Sequence, residues 1–152
     1  MAPAAEPISQ QIVAAVVTRL KALTAGSTYW YAPGQVVTDA QRVNDIRSYP
    51  SYGVWVTGES PATEDNRDVH ESLGIEIEVW VSDAEDRLRA LRRAVADLKA
   101  ALAVDERWGL PAVVVQTSAP AVAVTDPADI DAPFAHAKVA FTVFYDRLRT
   151  AA

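Results

Sequence analysis

The sequence has no cysteine. Disulfides, thiolate nucleophiles and cysteine-ligated zinc or iron–sulfur centres are therefore excluded. Histidine is scarce: His70 and His136 are the only two, too few for a multi-histidine metal centre. Glycine is scarce as well, at six residues, and neither Gly-x-Gly-x-x-Gly nor Gly-x-x-x-x-Gly-Lys occurs, so no phosphate-cradling loop is present. Positive charge is in deficit, with 14 Lys and Arg against 20 Asp and Glu and a net charge of -6. Such a balance lacks the cationic surplus that non-specific nucleic-acid binding uses to displace counterions. No long apolar run survives inspection either. The uncharged stretch from Trp108 to Thr125 contains Pro111, Gln116 and Pro120, which would leave unpaired polar groups in lipid. It reads as strand and loop. The first residues, Met1 to Pro7, lack the basic start and apolar stretch of a secretory signal, so the expectation is a soluble chain made without export and without a membrane partner.

What is present suffices for one core. In 152 residues, 50% hydrophobic and 22% charged, enough apolar surface exists to offset chain entropy, and the length favours a single domain over 1–152. Ile8, Ile12, Val16, Leu20 and Leu23 form one helical stripe, widened by Val13 and Val17, with Pro7 suited to the first turn and Gly26 just past the end. Thr28 to Tyr31 reads as a short aromatic strand that stops before Pro33-Gly34, with Val36-Val37 as a continuation. Val43 and Ile46 suggest a short helical turn closed by Pro50 and Gly53. Tyr52, Val54 and Val56 then alternate against Trp55 as a strand. The stretch 58–72 holds six charged residues and is expected to be a polar, mobile loop.

From Leu73 to Val81 alternation is strict: Leu73, Ile75, Ile77, Val79 and Val81 share one face, and Glu76, Glu78 and Trp80 the other. Ser82 and Glu85 suggest a capping box opening a second helix, with Leu88, Leu91, Val95, Leu98 and Leu102 on its core stripe and Arg89, Arg92, Arg93 and Lys99 opposite. That helix is expected to end near Val104. Val113 to Thr117 reads as a buried strand, which Ala121 to Val124 extends unless those residues belong to the loop of Asp126, Asp129 and Asp131. Ala137 to Tyr145 alternates as the last strand, before a basic tail at Arg147-Leu148-Arg149. The fold class expected is α+β: a single mostly antiparallel sheet with two amphipathic helices packed on one face.

Candidate chemistry is thin. Glu76 and Glu78 point the same way from one strand, as a carboxylate pair would, but alternation alone calls for polar residues there. Asp126, Asp129 and Asp131 lack the central glycine and closing Glu of a calcium loop and read as an acidic turn. No Gly-x-Ser-x-Gly elbow frames a serine for either histidine, and both are expected at the surface. The second helix, counted from Asp83 to Arg107, carries six acidic and six basic residues, which reads as an ion-paired, solvated face, or else as a surface for an acidic neighbouring subunit. Trp55 and Trp80 are more informative. Tryptophan on the wet side of a sheet implies cover, either from the same chain or from a partner, and interfaces enrich Trp and Arg.

Taken in order, the first amphipathic helix, Val36-Val37, Tyr52-Gly53-Val54-Trp55-Val56, Leu73 to Val81, the helix with Ala96-Asp97-Leu98-Lys99-Ala100-Ala101-Leu102, and the closing Phe141-Thr142-Val143-Phe144-Tyr145 resemble the tail terminator (minor tail, tail completion) proteins of long-tailed phages and related particles. The likeness covers most of the chain, from about Ile8 to Arg147. It implies a homo-oligomeric ring, usually a hexamer, at the head-proximal end of the virion tail, assembled in the host cytoplasm. Such a ring caps the tail tube, ends its polymerisation and meets the head–tail connector protein, so the implied partners are further copies, the major tail tube protein and the connector. DNA would pass through without specific binding. The interface residues that fit this implication are Trp55, Trp80, Glu76, Glu78, Arg89, Arg92 and Arg93, with no catalytic residue, metal or cofactor. Two other readings compete: a head–tail connector component, and a small hydrolase using Glu76, Glu78 or the Asp126 group. A monomeric ligand-binding module with an aromatic pocket is a further alternative.

Overall fold

A computed structural model describes residues 6–26, 28–38, 48–64, 68–83, 85–124 and 134–148. Helix α1 (Ile8–Lys21) is followed by β1 (Gln35–Thr38), β2 (Ser51–Glu64) and β3 (Asp68–Ser82), then α2 (Arg87–Ala103), β4 (Val114–Thr117), β5 (Ala121–Val124) and β6 (Phe134–Leu148). The described strands form one mixed sheet of order β1-β2-β3-β6-β4, with β5 also on β6. Only β1 and β2 run parallel; the β2–β3, β3–β6, β4–β6 and β5–β6 ladders are antiparallel. The class is α+β, as the alternating patterns predicted.

The core follows the periodicities. In α1, Ile12, Val13, Val16 and Leu20 are buried, and in α2, Leu91, Val95, Leu98 and Leu102. They join Leu73, Ile75, Ile77, Val79 and Val81 of β3 and Val139, Phe141 and Val143 of β6 in a single apolar cluster. β6 is the centre of the sheet's second half, because β4 and β5 lie end to end along its far edge. Between them Ser118 bridges, its N–H donating to the Thr142 carbonyl and its Oγ accepting from the Thr142 N–H, both at 2.8 Å.

Five sequence expectations are corrected. The stretch 58–72 is not a loop: β2 and β3 run through it as a long hairpin, with only 65–67 outside the described residues. On β2 the residues from Val56 to Ser60 are exposed, so burial selects no apolar alternation there. Thr28 to Tyr31 forms a turn with an isolated bridge between Ala25 and Tyr29 instead of a strand. Ser82 closes β3, and the cap of α2 is Asp86, whose side chain accepts from Arg89 N. Val113 to Thr117 is not wholly buried: Val114 is, whereas Val115 and Gln116 are exposed. Arg147 and Leu148 continue β6 and form no separate tail. The turn at Val43 and Ile46, the group Asp126, Asp129 and Asp131, and Arg149 lie outside the described residues.

Glycine matters where backbones touch. A Cβ on Gly34 would come within 2.7 Å of the Ser48 carbonyl carbon and the Tyr49 nitrogen, so the chain entering β1 crosses the cis Tyr49–Pro50 segment only with glycine there.

Candidate functional site

Two surfaces stand out. The first is the sheet face opposite the apolar cluster. Register places Trp55 opposite Glu76, Glu78 opposite Lys138, and Trp80 between Ser51 and His136. The four residues predicted to share this face, Trp55, Glu76, Glu78 and Trp80, are thus brought together, all half-buried. Lys138 Nζ lies 3.9 Å from Glu76 Oε1, reaching diagonally past its directly paired Glu78. At that separation, with both groups partly exposed, the contact adds little to stability.

At one end of this face the aromatics stack. Trp80 and His136 have ring centroids 4.3 Å apart, and Tyr49 and Phe134 5.5 Å apart. Trp80 Nε1 is shielded from solvent and meets no acceptor among the described residues. His136 is buried, which corrects the expectation of a surface histidine. Burial lowers its pKa, Glu78 and Glu76 oppose that shift, and Lys138 reinforces it. His70 is half-buried, facing Asp146 across the β3–β6 ladder and touching its carboxylate through Nδ1.

The second surface is the outward side of α2. The sequence predicted cancelling charge there, but the acids have other duties. Asp83 Oδ1 accepts from Glu85 N at 2.8 Å and Asp86 N at 3.0 Å, and those backbone bonds, Asp86 first, hold its carboxyl below the usual range. Asp105 accepts from Arg107 N and Gly109 N in the turn after the helix and is held low by the same cause. Asp97 is buried. Its two oxygens accept the backbone N–H groups of Trp30 and Tyr31, each at 2.9 Å, which anchors the turn that replaces the predicted strand. Left on the outside of α2 are Arg89, Arg92, Arg93 and Lys99, separated by Ala96, Ala100 and Ala103. Arg93 lies over the exposed Trp30 ring, 4.3 Å from its centroid. Arg89, Arg92 and Arg93 therefore share one surface with each other, on a different element from the Trp55–Trp80 face.

Two constellations escaped sequence reasoning. Asp97 falls on the line Ala90, Ala94, Asp97, Ala101, a four-three-four spacing that marks the inward face, so an acid there signalled a buried, satisfied carboxylate. The other joins three strands: the Tyr145 hydroxyl sits 2.7 Å from Glu59 Oε1 and 2.5 Å from Glu71 Oε2. No local pattern pointed to it, because it depends on the hairpin's register. Burial and the two carboxylates push the Tyr145 hydroxyl pKa upward.

Among the described residues no group of three or more His, Asp or Glu is placed to hold a metal ion, and no helix is long and apolar enough to cross a membrane. No protein-family model matches the chain, and no curated protein matches it either.

Proposed function

We propose that the chain is a structural assembly protein whose copies associate into a closed ring, in the manner of the tail terminators it resembles. On this reading both helices cover one face of the sheet and leave the other for neighbours. The ring caps a tail tube, ends its growth and offers its opposite rim to a head connector, and no bond-making chemistry is assigned to the chain. The observation that carries the proposal is the sheet face bearing Trp55 and Trp80 around Glu76, Glu78 and Lys138. Tryptophan beside paired charge, on a face its own helices do not cover, has the composition of an interface core with a polar rim. A heterologous contact between such a face and another part of an identical copy closes into a ring when the rotation permits.

Mass photometry of the purified chain, alone and with tube protein, tests association: a discrete ring in either condition supports the reading, and a monomer in both overturns it. Micrographs of particles assembled without this protein test the terminator role. Overlong tails without heads are expected, whereas tails of normal length already joined to capsids would remove it.

A further inference from the structure

Two surfaces on opposite sides of the fold each lack what the other carries. α2 packs through Leu91, Val95, Leu98 and Leu102 on the apolar face of the sheet, so its outward side looks away from the sheet. Trp55, Glu76, Glu78 and Trp80 occupy the sheet's other face. Along the outward side of α2, Arg89, Arg92 and Lys99 are exposed at the three- and four-residue steps that align a helical stripe, with Ala96 and Ala103 completing it. Arg93 is half-buried beside them. The one acid within α2, Asp97, is buried and taken up by backbone N–H groups. Of the acids just before the helix, Asp83 and Asp86 each use Oδ1 on backbone N–H groups. Among the described residues no carboxylate lies within ion-pair distance of Arg89, Arg92 or Lys99.

On the sheet face the missing partner is a cation. Lys138 stands directly opposite Glu78 in the ladder but reaches past it to Glu76, at 3.9 Å. The half-buried Glu78 carboxylate is left with no ion-pair partner among the described residues. Trp55, opposite Glu76, and Trp80, two residues on from Glu78, flank it along the face. A guanidinium answers both features, since it forks onto a carboxylate and stacks on an indole. The chain already makes the second contact twice: Arg93 lies over Trp30 at 4.3 Å and Arg19 over Trp108 at 3.9 Å. Polyanions are disfavoured as the occupant of the basic stripe, because a net charge of -6 repels them before the stripe is reached.

We propose that the basic stripe of α2 docks on the outer sheet face of a second copy of this chain, with Arg89 and Arg92 meeting Glu78 between Trp55 and Trp80. The inference rests on the ring-forming reading and names the contact between neighbours. Because the two surfaces lie on opposite sides of the molecule, a pair of copies related by a two-fold axis cannot use both at once. Each copy gives its helix to one neighbour and its sheet face to the other, which is the heterologous contact a ring requires.

Charge reversal with rescue tests it, read by light scattering coupled to size exclusion on the full chain, alone and with tube protein. Arg89→Glu with Arg92→Glu, and separately Glu78→Lys, are each expected to weaken self-association by about tenfold or more, as breaking close charge pairs across an interface does. Mixed in equal amounts, the two variants alternate around a ring. Acidic helices then meet basic sheet faces, wild-type helices meet wild-type faces, and assembly is expected to return. Glu78→Gln keeps the shape of the side chain and sets no second cation against Lys138, so it guards against misfolding of the strand; it is expected to weaken association less than the reversal. Assembly indifferent to either reversal or to Glu78→Gln, or no restoration on mixing two variants with native circular dichroism, overturns this contact and leaves the ring reading standing. A wild-type chain that stays monomeric, alone and with tube protein, overturns both. Unchanged assembly with loss of duplex DNA binding in the helix variant overturns the contact in favour of phosphate recognition.

Discussion

Single side chains carry much of the arrangement. Asp97 is a buried acid whose two acceptors are both used by backbone N–H groups of the preceding turn. Asp97→Ala leaves those donors without a partner, at about 1–3 kcal/mol for each that stays buried. A lower urea midpoint is expected together with a shift in Trp30 emission, since the turn holding that ring loses its anchor. Asp97→Asn retains one acceptor and is expected to fall between the two. The same carboxylate, after burial itself, keeps the Tyr52 phenol protonated well above its ordinary range. His136 gives a pH dependence of defined sign. Burial disfavours its charged form, so the unfolded chain binds a proton more readily than the folded one. Its contribution is complete above the ordinary histidine value of about 6.5 and declines as pH falls below it, with a slope of at most about 1.4 kcal/mol per pH unit. Denaturation midpoints between pH 7.5 and 5 are expected to drop in the wild type and to drop less in His136→Phe, which keeps a ring against Trp80.

At the scale of elements, the turn after α2 ties three parts of the chain together. Trp108 adopts a positive φ of 58° and is buried. Its Nε1 donates to Thr117 Oγ1 at 2.8 Å, its ring lies 6.1 Å from Phe141, and the Arg19 guanidinium covers it at 3.9 Å while donating to the Asp105 carbonyl. Trp108→Ala removes a buried aromatic and the packing of α1 against this turn, so a loss of about 3–5 kcal/mol is expected by chemical denaturation, in the range for truncating core aromatics. What the sequence made legible divides along physical lines. Both helices and the strand from Leu73 to Val81 could be read because one face of each meets the core, and burial writes its period into the residues. The charged hairpin could not, since its strands are held by a main-chain ladder that any side chain allows, and register shifts after Val56 and Pro61 break what pattern remains. The turn at Trp30 was hidden for another reason: an aromatic run with strand propensity yields to one carboxylate 67 positions away. Among candidate site residues, Trp55, Trp80, Glu76 and Glu78 followed from alternation alone. The basic character of α2's outer side did not, because a net count cannot distinguish acids that cap backbone from acids that neutralise neighbours.

For the whole molecule one long ladder carries the sheet beyond the apolar cluster, since β3 stays paired with β6 from Ser82↔Phe134 to Asp68↔Leu148. The apolar cluster draws on α1, α2, Tyr52 and Val54 of β2, Leu73 to Val81 of β3 and Ala135 to Tyr145 of β6, while on β2 the residues from Val56 to Ser60 are exposed. The far part of the hairpin is held by its own ladder, by the β6 ladder from Tyr145 to Leu148, by the His70–Asp146 contact and by the Tyr145 hydroxyl. Ser60 and Ser72 are directly paired, and Ser72 Oγ donates to the Ser60 carbonyl at 3.2 Å. Joining them through an Asn-Gly turn in place of 61–71 shortens the hairpin in register, because that turn matches the twist of two antiparallel strands. Leu73 and the core stay in place, and Glu59 still reaches Tyr145. The unfolding free energy is expected to fall by more than the roughly 1–2 kcal/mol of the Glu71 hydrogen bond alone, because Asp68 to Glu71 also leave their ladder with Tyr145 to Leu148 and His70 leaves Asp146. Thermal melting of the shortened and wild-type chains measures that loss. A lower midpoint with native circular dichroism is the expected result; a shortened chain that melts like the wild type would show that the outer β3–β6 ladder adds nothing to stability.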